Sequence, residues 1–489
     1  METALLIALP FVSGLLTLLF NDHKAKLVAL LFSLCTFANA LYLALTFCTC
    51  TLWHYELNTP WLASLGINFS VGIDGISLIL ILLTTFLVPL IILSTFERQT
   101  PYSKTFYFLV LTMEAALIGV FTARDAFLFY VFWELALIPI YFITLMWGGE
   151  DKNKITFKFF LYTLAGSLFM LLAIILLYIN NPARTFDINQ LYAVGASLDF
   201  GTQAFIFWSF FLAFAIKMPI FPFHTWQPDT YTASPTPGTM LLSGIMLKMG
   251  IYGVLRWLYP MVPDAFSFYA HYAILLSVIG IVYASFIALK QNNLKRMIAY
   301  VSIAHVGLIG AGVFIGNIEA LQGVVIQMFS HGINVVGLFF IVQIIFERTG
   351  TYDMSALGGI RTKAPLLTIS FIIILLSSVA LPLTGGFIGE FLIFVGIFQY
   401  HAIIAAVAGV TIILGAAYML NAFQKVMLGE TNNTTAVFKD LVLTEKLVLI
   451  PIIILIIWIG VYPNPFLNIS EPAIKALIEV ASKTTALTH

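Results

Sequence analysis

The sequence predicts an all-α protein that crosses a membrane many times. Of its 489 residues, 61% are hydrophobic and only 9% are charged. Soluble domains carry about 25% charged residues, so this composition excludes an ordinary globular protein. No alternating ten-residue pattern indicates a membrane β-barrel. Because helices satisfy their own backbone groups in lipid, each long apolar stretch is predicted to be a transmembrane helix.

About fourteen stretches are long enough to cross roughly 30 Å of hydrocarbon. Their approximate limits are residues 2–20, 26–48, 75–96, 106–121, 126–147, 155–180, 203–223, 236–258, 268–289, 297–316, 320–346, 366–398, 401–427 and 445–463. Two polar excursions, residues 50–74 and 181–202, are too short to be separate domains. From Pro472 to about Thr485, polar and apolar residues alternate at helical spacing, which predicts an interfacial amphipathic helix.

Two of these spans contain helix breakers beside ionisable residues. Span seven reads Lys217-Met-Pro-Ile-Phe-Pro222, and span twelve reads Pro382-Leu-Thr-Gly-Gly-Phe-Ile-Gly-Glu390. Proline removes a backbone N–H, and paired glycines loosen the turn further. Broken helices in corresponding places of two halves indicate an inverted-repeat transporter. Simple proline kinks between packed helices are the alternative interpretation.

The two breaks lie five spans apart, and an odd offset inverts the orientation. We therefore predict two inverted five-helix repeats, helices 4–8 and 9–13, with helices 7 and 12 broken. The chain then divides into four segments. These are an N-terminal three-helix segment (1–105), the first repeat (106–258), the second repeat (268–427), and a last helix with the amphipathic tail (445–489).

The positions of lysine and arginine in the loops predict the orientation. With the N-terminus outside, most of the 23 basic residues fall in inner loops, for example Lys290, Lys295 and Arg296 after span nine. An even number of spans then places both termini on the outer side.

Four ionisable side chains lie deep in predicted helices: Glu134, Lys217, Lys248 and Glu390. A charge at bilayer depth costs about 2.5–3.5 kcal/mol on insertion scales, so such residues usually line an ion path or a counter-ion site. Both lysines lie too far from the ends of their spans to snorkel easily. A protonated Glu134 bonded to a neighbouring helix is the alternative for that residue. Because lysine can lose its proton and arginine cannot, the pattern favours proton transport over static pairing.

Three further ionisable groups lie within predicted spans. His305 and His331 fall between the lysines and Glu390 in chain order, which suits a proton relay, although a hydrogen-bonded core histidine is the alternative. Glu114 is a further buried acid. The eight histidines include no pair about thirteen residues apart on one helix, the spacing of haem ligands in cytochrome b-type spans.

Residues near the span ends have simpler interpretations. Asp74, Arg124 and Asp125 are expected to be solvated anchors. The polar run from His224 to Gly238, between spans seven and eight, is rich in turn formers and hydroxyls. That composition suits a mouth for proton uptake or a contact with a partner protein.

No cofactor is predicted in this chain. The sequence has no G-x-x-x-x-G-K-[ST], no G-x-G-x-x-G after a strand and no cluster of metal ligands. Cys35, Cys48 and Cys50 form neither a disulfide framework nor a C-x-x-C pair, so no redox cluster is expected. The formal net charge is zero, which argues against a nucleic-acid partner. The chain therefore contains no energy source of its own.

Several motifs resemble the antiporter-like, proton-translocating subunits of respiratory complex I. They are Phe-His224-Thr-Trp-Gln-Pro-Asp229 and Ser-Gly-Ile-Met-Leu-Lys248-Met-Gly. Ser-Ile-Ala-His305-Val-Gly, Phe-Ile-Gly-Glu390-Phe and Trp-Ile-Gly-Val-Tyr-Pro463 resemble more narrowly the chain M branch of bacterial NADH–quinone oxidoreductases. The resemblance covers essentially the whole chain.

This resemblance implies fourteen helices in inverted repeats and a role for each buried charge. Glu134 corresponds to the helix-five glutamate that modulates the helix-seven lysine, here Lys217. Lys248 corresponds to the relay lysine of helix eight, and Glu390 to the helix-twelve acid that replaces a lysine of the sister chain L. Glu114 resembles an additional acid on helix four.

The sequence departs from the family pattern at Asp229-Thr-Tyr231, where many members have Asp-Ala-His. That change puts proton uptake by a histidine there in doubt, although Tyr231 can still carry a hydrogen bond. The long lateral helix of chain L is absent after span fourteen, which argues against chain L.

The resemblance implies a subunit that pumps protons while NADH is oxidised and quinone is reduced in partner subunits. NADH, FMN, iron–sulfur clusters and quinone are expected in those partners, and sister antiporter-like chains are expected on either side in the bilayer. The bacterial cytoplasmic membrane is the expected location. The alternatives are a subunit of a multi-subunit cation/proton antiporter, a hydrogenase-linked complex, and a scaffold that transports nothing.

Overall fold

The computed structural model describes residues 1–49, 52–98 and 101–486, and the protein is mostly helical within these ranges. Twelve of the described helical stretches are long and apolar enough to cross a membrane. Three shorter apolar helices accompany them: Glu2–Thr17, Pro365–Ser378 and Gly385–Tyr400. The prediction of a helical, multi-pass membrane protein is confirmed.

The chain begins with α1 (Glu2–Thr17), α2 (Asp22–Leu45) and α3 (Gly75–Leu93). α3 starts at Asp74, whose carboxylate accepts the Ser77 N–H at 2.8 Å and so caps the first turn. Nearly every residue of α3 is buried, so this helix lies inside the bundle.

An antiparallel hairpin between α2 and α3 was missed by the all-α prediction. Its strands are β1 (His54–Leu62) and β2 (Ile67–Ile73). The turn ends at Gly66, which has a φ of +68° and would place an added Cβ against the Arg184 carbonyl. Backbone groups in a strand pair bond to each other, so this polar excursion satisfies its backbone without forming a helix.

Six helices follow α3. They are α4 (Ser103–Thr122), α5 (Ala126–Leu135), α6 (Leu137–Trp147), α7 (Lys152–Asn180), α8 (Ile188–Ser197) and α9 (Phe200–Lys217). α5 and α6 form one span that is interrupted at Ala136, because Pro139 has no N–H to donate to the Leu135 carbonyl.

α9 ends at Lys217, where the prolines predicted an interruption. The chain turns through residues 218–226 before the short helix α10 (Gln227–Ala233). The Trp226 indole donates to the Ile216 carbonyl at 2.9 Å. A side chain therefore satisfies one of the carbonyls that the end of the helix leaves free.

The next span is fully buried and contains two π-helical turns. It consists of α11 (Thr236–Leu241), a π turn at Leu242–Met246, α12 (Lys248–Gly253) and a second π turn at Val254–Leu258. Lys248 lies directly after the first π turn. Such turns are frequent at functional sites, and nothing in the sequence predicted them.

The second half of the chain contains six further helices. They are α13 (Pro263–Lys290), α14 (Leu294–Ile315), α15 (Ile318–Thr349), α16 (Pro365–Ser378), α17 (Gly385–Tyr400) and α18 (Ala402–Met427). α14 and α15 are almost entirely buried and form the centre of the bundle. α16 and α17 are separated by a turn in which Ala380 and Leu383 have positive φ angles of 56° and 71°.

Two helices end the described chain, α19 (Leu443–Val461) and α20 (Asn464–Ala486). α20 is longer than the predicted tail helix, because it starts before Pro472 and continues through it. Its apolar residues Ile474 and Leu477 are buried, and α20 packs against α3, α13 and α15. The tail therefore joins helices from distant parts of the chain.

Three local predictions fail. Asp74 and Asp125 are fully buried instead of solvated, and burial raises the pKa of the Asp125 carboxyl to about 6, although backbone N–H donors oppose this rise. Arg124 is largely covered and pairs with Glu56 of the hairpin. The sequence predicted no disulfide framework, yet Cys48 is disulfide-bonded while Cys35 is free. Cys50 lies outside the described residues.

Candidate functional site

Two of the predicted residues, Lys248 and His331, are hydrogen-bonded in the centre of the bundle. The Lys248 Nζ donates to the Ser243 carbonyl at 2.7 Å and lies 2.9 Å from the His331 Nδ1. If Nδ1 accepts from the ammonium group, the ring hydrogen lies on Nε2. The Nε2 is 3.2 Å from the Ser302 hydroxyl, which can accept it. This arrangement joins a lysine on α12 to a histidine on α15 and a serine on α14.

Glu390 and His305 form a second buried pair. The Glu390 Oε1 lies 2.9 Å from the His305 Nδ1 and accepts the Gln327 Nε2 at 3.2 Å. The ring centroids of His305 and His331 are 5.9 Å apart. The structure therefore brings four predicted residues into one row, which runs from Lys248 through the two histidines to Glu390.

A small polar cavity lies beside the two histidines. Its volume is about 10 Å³, and Ser302, His305, Gln327, His331, Asn334 and Ser377 contribute to its wall. Three of its buried polar atoms have no hydrogen-bond partner among the described residues: Gln327 Oε1, Asn334 Oδ1 and Ser377 Oγ. A cavity of this size holds about one water, which needs two to four polar partners. One water can therefore bridge the gap between the two pairs.

Lys217 lies apart from this row, at the end of α9. The residue is 2% exposed, and its amine lies 5.0 Å from the centroid of the Trp133 ring. The carbonyl end of a helix and the face of an indole both favour a cation. These two contacts can stabilise the Lys217 ammonium group without a direct contact to a carboxylate.

Glu134 lies one residue before the end of α5, and its Oε1 has no hydrogen-bond partner among the described residues. The Ser167 hydroxyl of α7 acts on this carboxyl through a hydrogen bond, and the charge of Lys217 acts on it electrostatically. The resemblance implied that Glu134 modulates Lys217. No ion pair joins the two in the described part of the chain, although the Lys217 charge acts on the carboxyl, and the neighbouring Trp133 ring faces the amine.

Glu114 is fully buried on α4, and neither of its carboxylate oxygens has a hydrogen-bond partner among the described residues. The structure therefore does not join it to the row by hydrogen bonds. Its part in proton transfer stays a prediction.

The polar run between α9 and α11 is held by charges from other helices. Asp229 pairs with Lys158 of α7 at 3.2 Å and with Arg296 of α14 at 3.1 Å. The Tyr231 hydroxyl, which can carry a hydrogen bond, is buried; the Gln227 side chain acts on it, although no hydrogen bond of normal geometry joins it to a described residue. The run that composition suggested as an uptake mouth or a partner contact is thus tied to α7 and α14 by charges, and part of it lines a large cavity.

Lys295 is a third buried lysine, which the sequence pattern does not predict because the residue falls in an expected inner loop. Lys295 lies in the first turn of α14 and is 2% exposed. Its Nζ donates to the carbonyls of Thr232 and Ser234 at 3.1 and 2.7 Å. The signal in the sequence was that Lys295 precedes Ser302 by seven residues, which places both on one face of a helix.

Sequence comparison extends these observations to known proteins. Residues 123–415 match the family described as NADH:quinone oxidoreductase/Mrp antiporter, and residues 7–120 match the amino terminus of NADH-ubiquinone oxidoreductase chain 4. NADH-quinone oxidoreductase subunit M of Rickettsia typhi is 41% identical over 483 residues, which cover 96% of this chain and 97% of the relative.

Solved structures share the fold. A chain of respiratory complex I from Thermus thermophilus with bound NADH superposes with a TM-score of 0.91 at 31% identity and covers 98% of this chain and 100% of its own length. A chain of the Mrp complex from Dietzia sp. DQ12-45-1b has a TM-score of 0.89 at 20% identity, covering 100% of this chain and 99% of that one. The chain belongs to the NADH:quinone oxidoreductase/Mrp antiporter family of membrane subunits, in its subunit M branch.

Proposed function

We propose that this chain is a proton-translocating membrane-arm subunit of an NADH:quinone oxidoreductase. The observation that carries this proposal is the buried row of Lys248, His331, His305 and Glu390 beside a polar cavity. Each of these groups can hold and release a proton, and neighbouring groups lie within one hydrogen bond or one water of each other. Such groups are costly inside a membrane, which favours a functional over a structural reason for the row.

Electron transfer takes place in partner subunits. NADH, FMN, iron–sulfur clusters and quinone are bound there, and sister antiporter-like chains flank this chain in the membrane arm. Charge movement along the arm alters the interaction between Glu134 and Lys217, and Lys217 then releases a proton toward Lys248. The close packing of α12 against the end of α9 supports this step, because an added Cβ on Gly250 would lie 2.8 Å from the Phe214 carbonyl.

From Lys248 the proton passes through His331, Ser302 and the cavity water to His305. Glu390 receives it and opens toward the outer side. His331 and His305 act here as relays whose ring nitrogens alternate between donor and acceptor. Glu114 acts as an additional acid on α4.

The proposed architecture has fourteen spans. Twelve of these are the long spans. The other two are α1 and one broken span made of α16 and α17. The helices form inverted repeats within residues 106–258 and 268–427, preceded by 1–105 and followed by 445–489. Basic residues in the loops support outer positions for both termini in the bacterial cytoplasmic membrane.

The experiment uses the whole complex that contains this chain, reconstituted in vesicles with NADH and quinone. Lys217→Ala and Glu134→Ala should each abolish proton pumping while the complex still assembles. Lys439→Ala, at an exposed position, is the matched control. Unchanged pumping in the Lys217 or Glu134 variant refutes the proposal and favours a scaffold that transports nothing.

A cation/proton antiporter subunit is the second candidate, because the Mrp chain shares the fold over the full length. A sodium gradient imposed on the vesicles without NADH separates the two. Proton movement driven by that gradient alone favours the antiporter. If the complex that contains this chain oxidises hydrogen instead of NADH, the hydrogenase-linked alternative is correct.

A further inference from the structure

A large polar cavity lies at the end of the bundle where α6 ends and α14 begins. Its volume is about 560 Å³, and its wall includes Arg98, Glu150, Asp229, Lys295, Arg296 and Tyr352. Glu150 is exposed at the surface, so the cavity opens to water. This cavity is separate from the small one at the centre of the molecule.

Most charges in this cavity are already paired. Arg98 pairs with Glu347, and Arg296 pairs with Asp229. Among the described residues of the wall, Lys295 is the cation without a carboxylate partner. Its amine is bound by two backbone carbonyls and lies 5.6 Å from the centroid of the Tyr352 ring.

One face of α14 joins this cavity to the central one. Lys295, Ile298, Ser302 and His305 follow each other at intervals of three, four and three residues, so they share a face of the helix. Lys295 lines the outer cavity, whereas the other three line the central cavity. Seven residues of helix separate Lys295 from Ser302, a rise of about 10 Å.

Unpartnered polar atoms lie at the level between these two residues. The Gln227 Nε2 donates to the carbonyl of Ala299, halfway between them, at 3.3 Å. The Gln227 Oε1 and the Tyr231 hydroxyl are buried and form no hydrogen bond of normal geometry with the described residues, while the Gln227 side chain is close enough to act on that hydroxyl. Buried polar atoms are nearly always bonded to protein or to water, so this gap suits one or two waters.

Hydroxyl groups continue from this level to Lys248. The Thr239 Oγ1 donates to the Tyr231 carbonyl at 2.8 Å, and the Ser243 Oγ donates to the Thr239 carbonyl at 2.7 Å. The Ser243 carbonyl in turn accepts the Lys248 amine. The hydroxyls of Thr239 and Ser243 therefore lie between the Tyr231 backbone and Lys248, where water can link them.

We infer that Lys295 is a proton-relay residue that takes up protons from the large cavity and passes them, through water beside Gln227 and Tyr231, to the Lys248–His331 pair. The amine releases one proton inward and regains one from the cavity, so the step needs no other reactant. This inference rests on the proposed function. A purely structural Lys295 would only tie α14 to the segment between α10 and α11.

Lys295→Arg separates these two roles. Arginine keeps the charge and the donors for both carbonyls but does not deprotonate. In the reconstituted complex we expect at least a tenfold loss of the pumping rate with assembly retained, because a positioned acid or base contributes about 10²–10⁴-fold. Wild-type pumping by Lys295→Arg would overturn the inference.

Lys295→Ala provides a second readout, because the large cavity admits small amines. Added methylamine should restore part of the lost charge translocation in this variant and should have no effect on Glu390→Gln. Charge translocation is measured as membrane potential, because a permeant amine collapses a pH gradient. No restoration in an assembled Lys295→Ala complex counts against the inference.

Tyr231→Phe is the third variant and does not threaten folding, because the hydroxyl it removes forms no hydrogen bond of normal geometry with a described residue. We expect it to slow pumping several-fold, and full pumping contradicts the proposed path. Pumping that is lost in Glu390→Gln but normal in the Lys295 and Tyr231 variants rejects this inference alone. Normal pumping in Glu390→Gln rejects the proposed function itself.

Discussion

The Lys248 amine and the His331 Nδ1 lie 2.9 Å apart, and both residues are buried. Lys248 follows a π-helical turn, and the Ser243 carbonyl in that turn accepts a second hydrogen bond from the same amine. A proton that leaves the lysine therefore has a histidine nitrogen directly within reach. We propose that this contact is a proton-transfer step.

Lys248→Arg should stop proton pumping although it preserves the charge. Arginine does not deprotonate, so it cannot hand a proton to His331. The measurement is the number of protons translocated per NADH oxidised in vesicles. Lys439→Arg, at an exposed position, is the control and should match the wild type. Normal stoichiometry in Lys248→Arg would show that this lysine acts as a fixed charge.

Replacement of Trp133 should weaken the site that holds the Lys217 ammonium group. The indole face lies 5.0 Å from the amine, and such a contact contributes about 0.5–2 kcal/mol. Trp133→Leu should therefore change the pumping rate by about 2- to 30-fold, because RT is about 0.59 kcal/mol. Trp133→Phe keeps an aromatic face, so its pumping rate should lie between those of Trp133→Leu and the wild type. Equal rates for Trp133→Leu and the wild type contradict the assigned contact.

Gly389→Ala should disrupt the hydrogen bond between Gln327 and Glu390. An added Cβ would lie 2.8 Å from the Gln327 Cβ and 2.9 Å from its Cα, so α15 and α17 would have to separate. Overpacking of this kind costs about 1–3 kcal/mol, which should lower the unfolding temperature as well as the pumping rate.

Gly409→Ala, in α18, is the matched control, because nothing lies within 4 Å of its added Cβ. We expect this variant to be as stable as the wild type or more stable. Equal unfolding temperatures and pumping rates for the two alanine variants would contradict the packing described for Gly389.

The buried ion pair of Arg256 with Asp74 should stabilise the end of the bundle near the hairpin. Removal of one partner leaves an uncompensated buried charge, which costs about 3–5 kcal/mol. Arg256→Met should therefore lower the thermal stability in detergent strongly. Asp74→Asn keeps the cap of α3, so the double variant should recover most of the loss. A double variant as unstable as the sum of the single ones would show that the two side chains act independently.

The sequence predicted those features that follow from the free-energy cost of placing polar or charged groups inside a membrane. Apolar stretches predicted the helices. The ionisable residues within those stretches were predicted to be functional, and the structure places four of them, Lys248, His331, His305 and Glu390, in one row. Prolines and paired glycines predicted the ends of α9 and α16.

Other features depend on contacts between distant segments and left no local pattern. The hairpin backbone donates to Asp125 and Arg256 pairs with Asp74, so side chains that resembled solvated anchors are buried. Lys295 lies near a span end by sequence, and only the packing of α10 against α14 encloses it. The bend beside Glu134 places Trp133, not the carboxylate, next to the Lys217 amine.

Glu390→Gln tests the central claim most directly, since the carboxylate is the last acceptor of the row and glutamine preserves its shape and its polarity. The number of protons translocated per NADH should fall toward zero, while assembly remains as in the wild type and the exposed control Glu430→Gln pumps normally. A proton-to-NADH ratio equal to that of the wild type in Glu390→Gln would contradict the account.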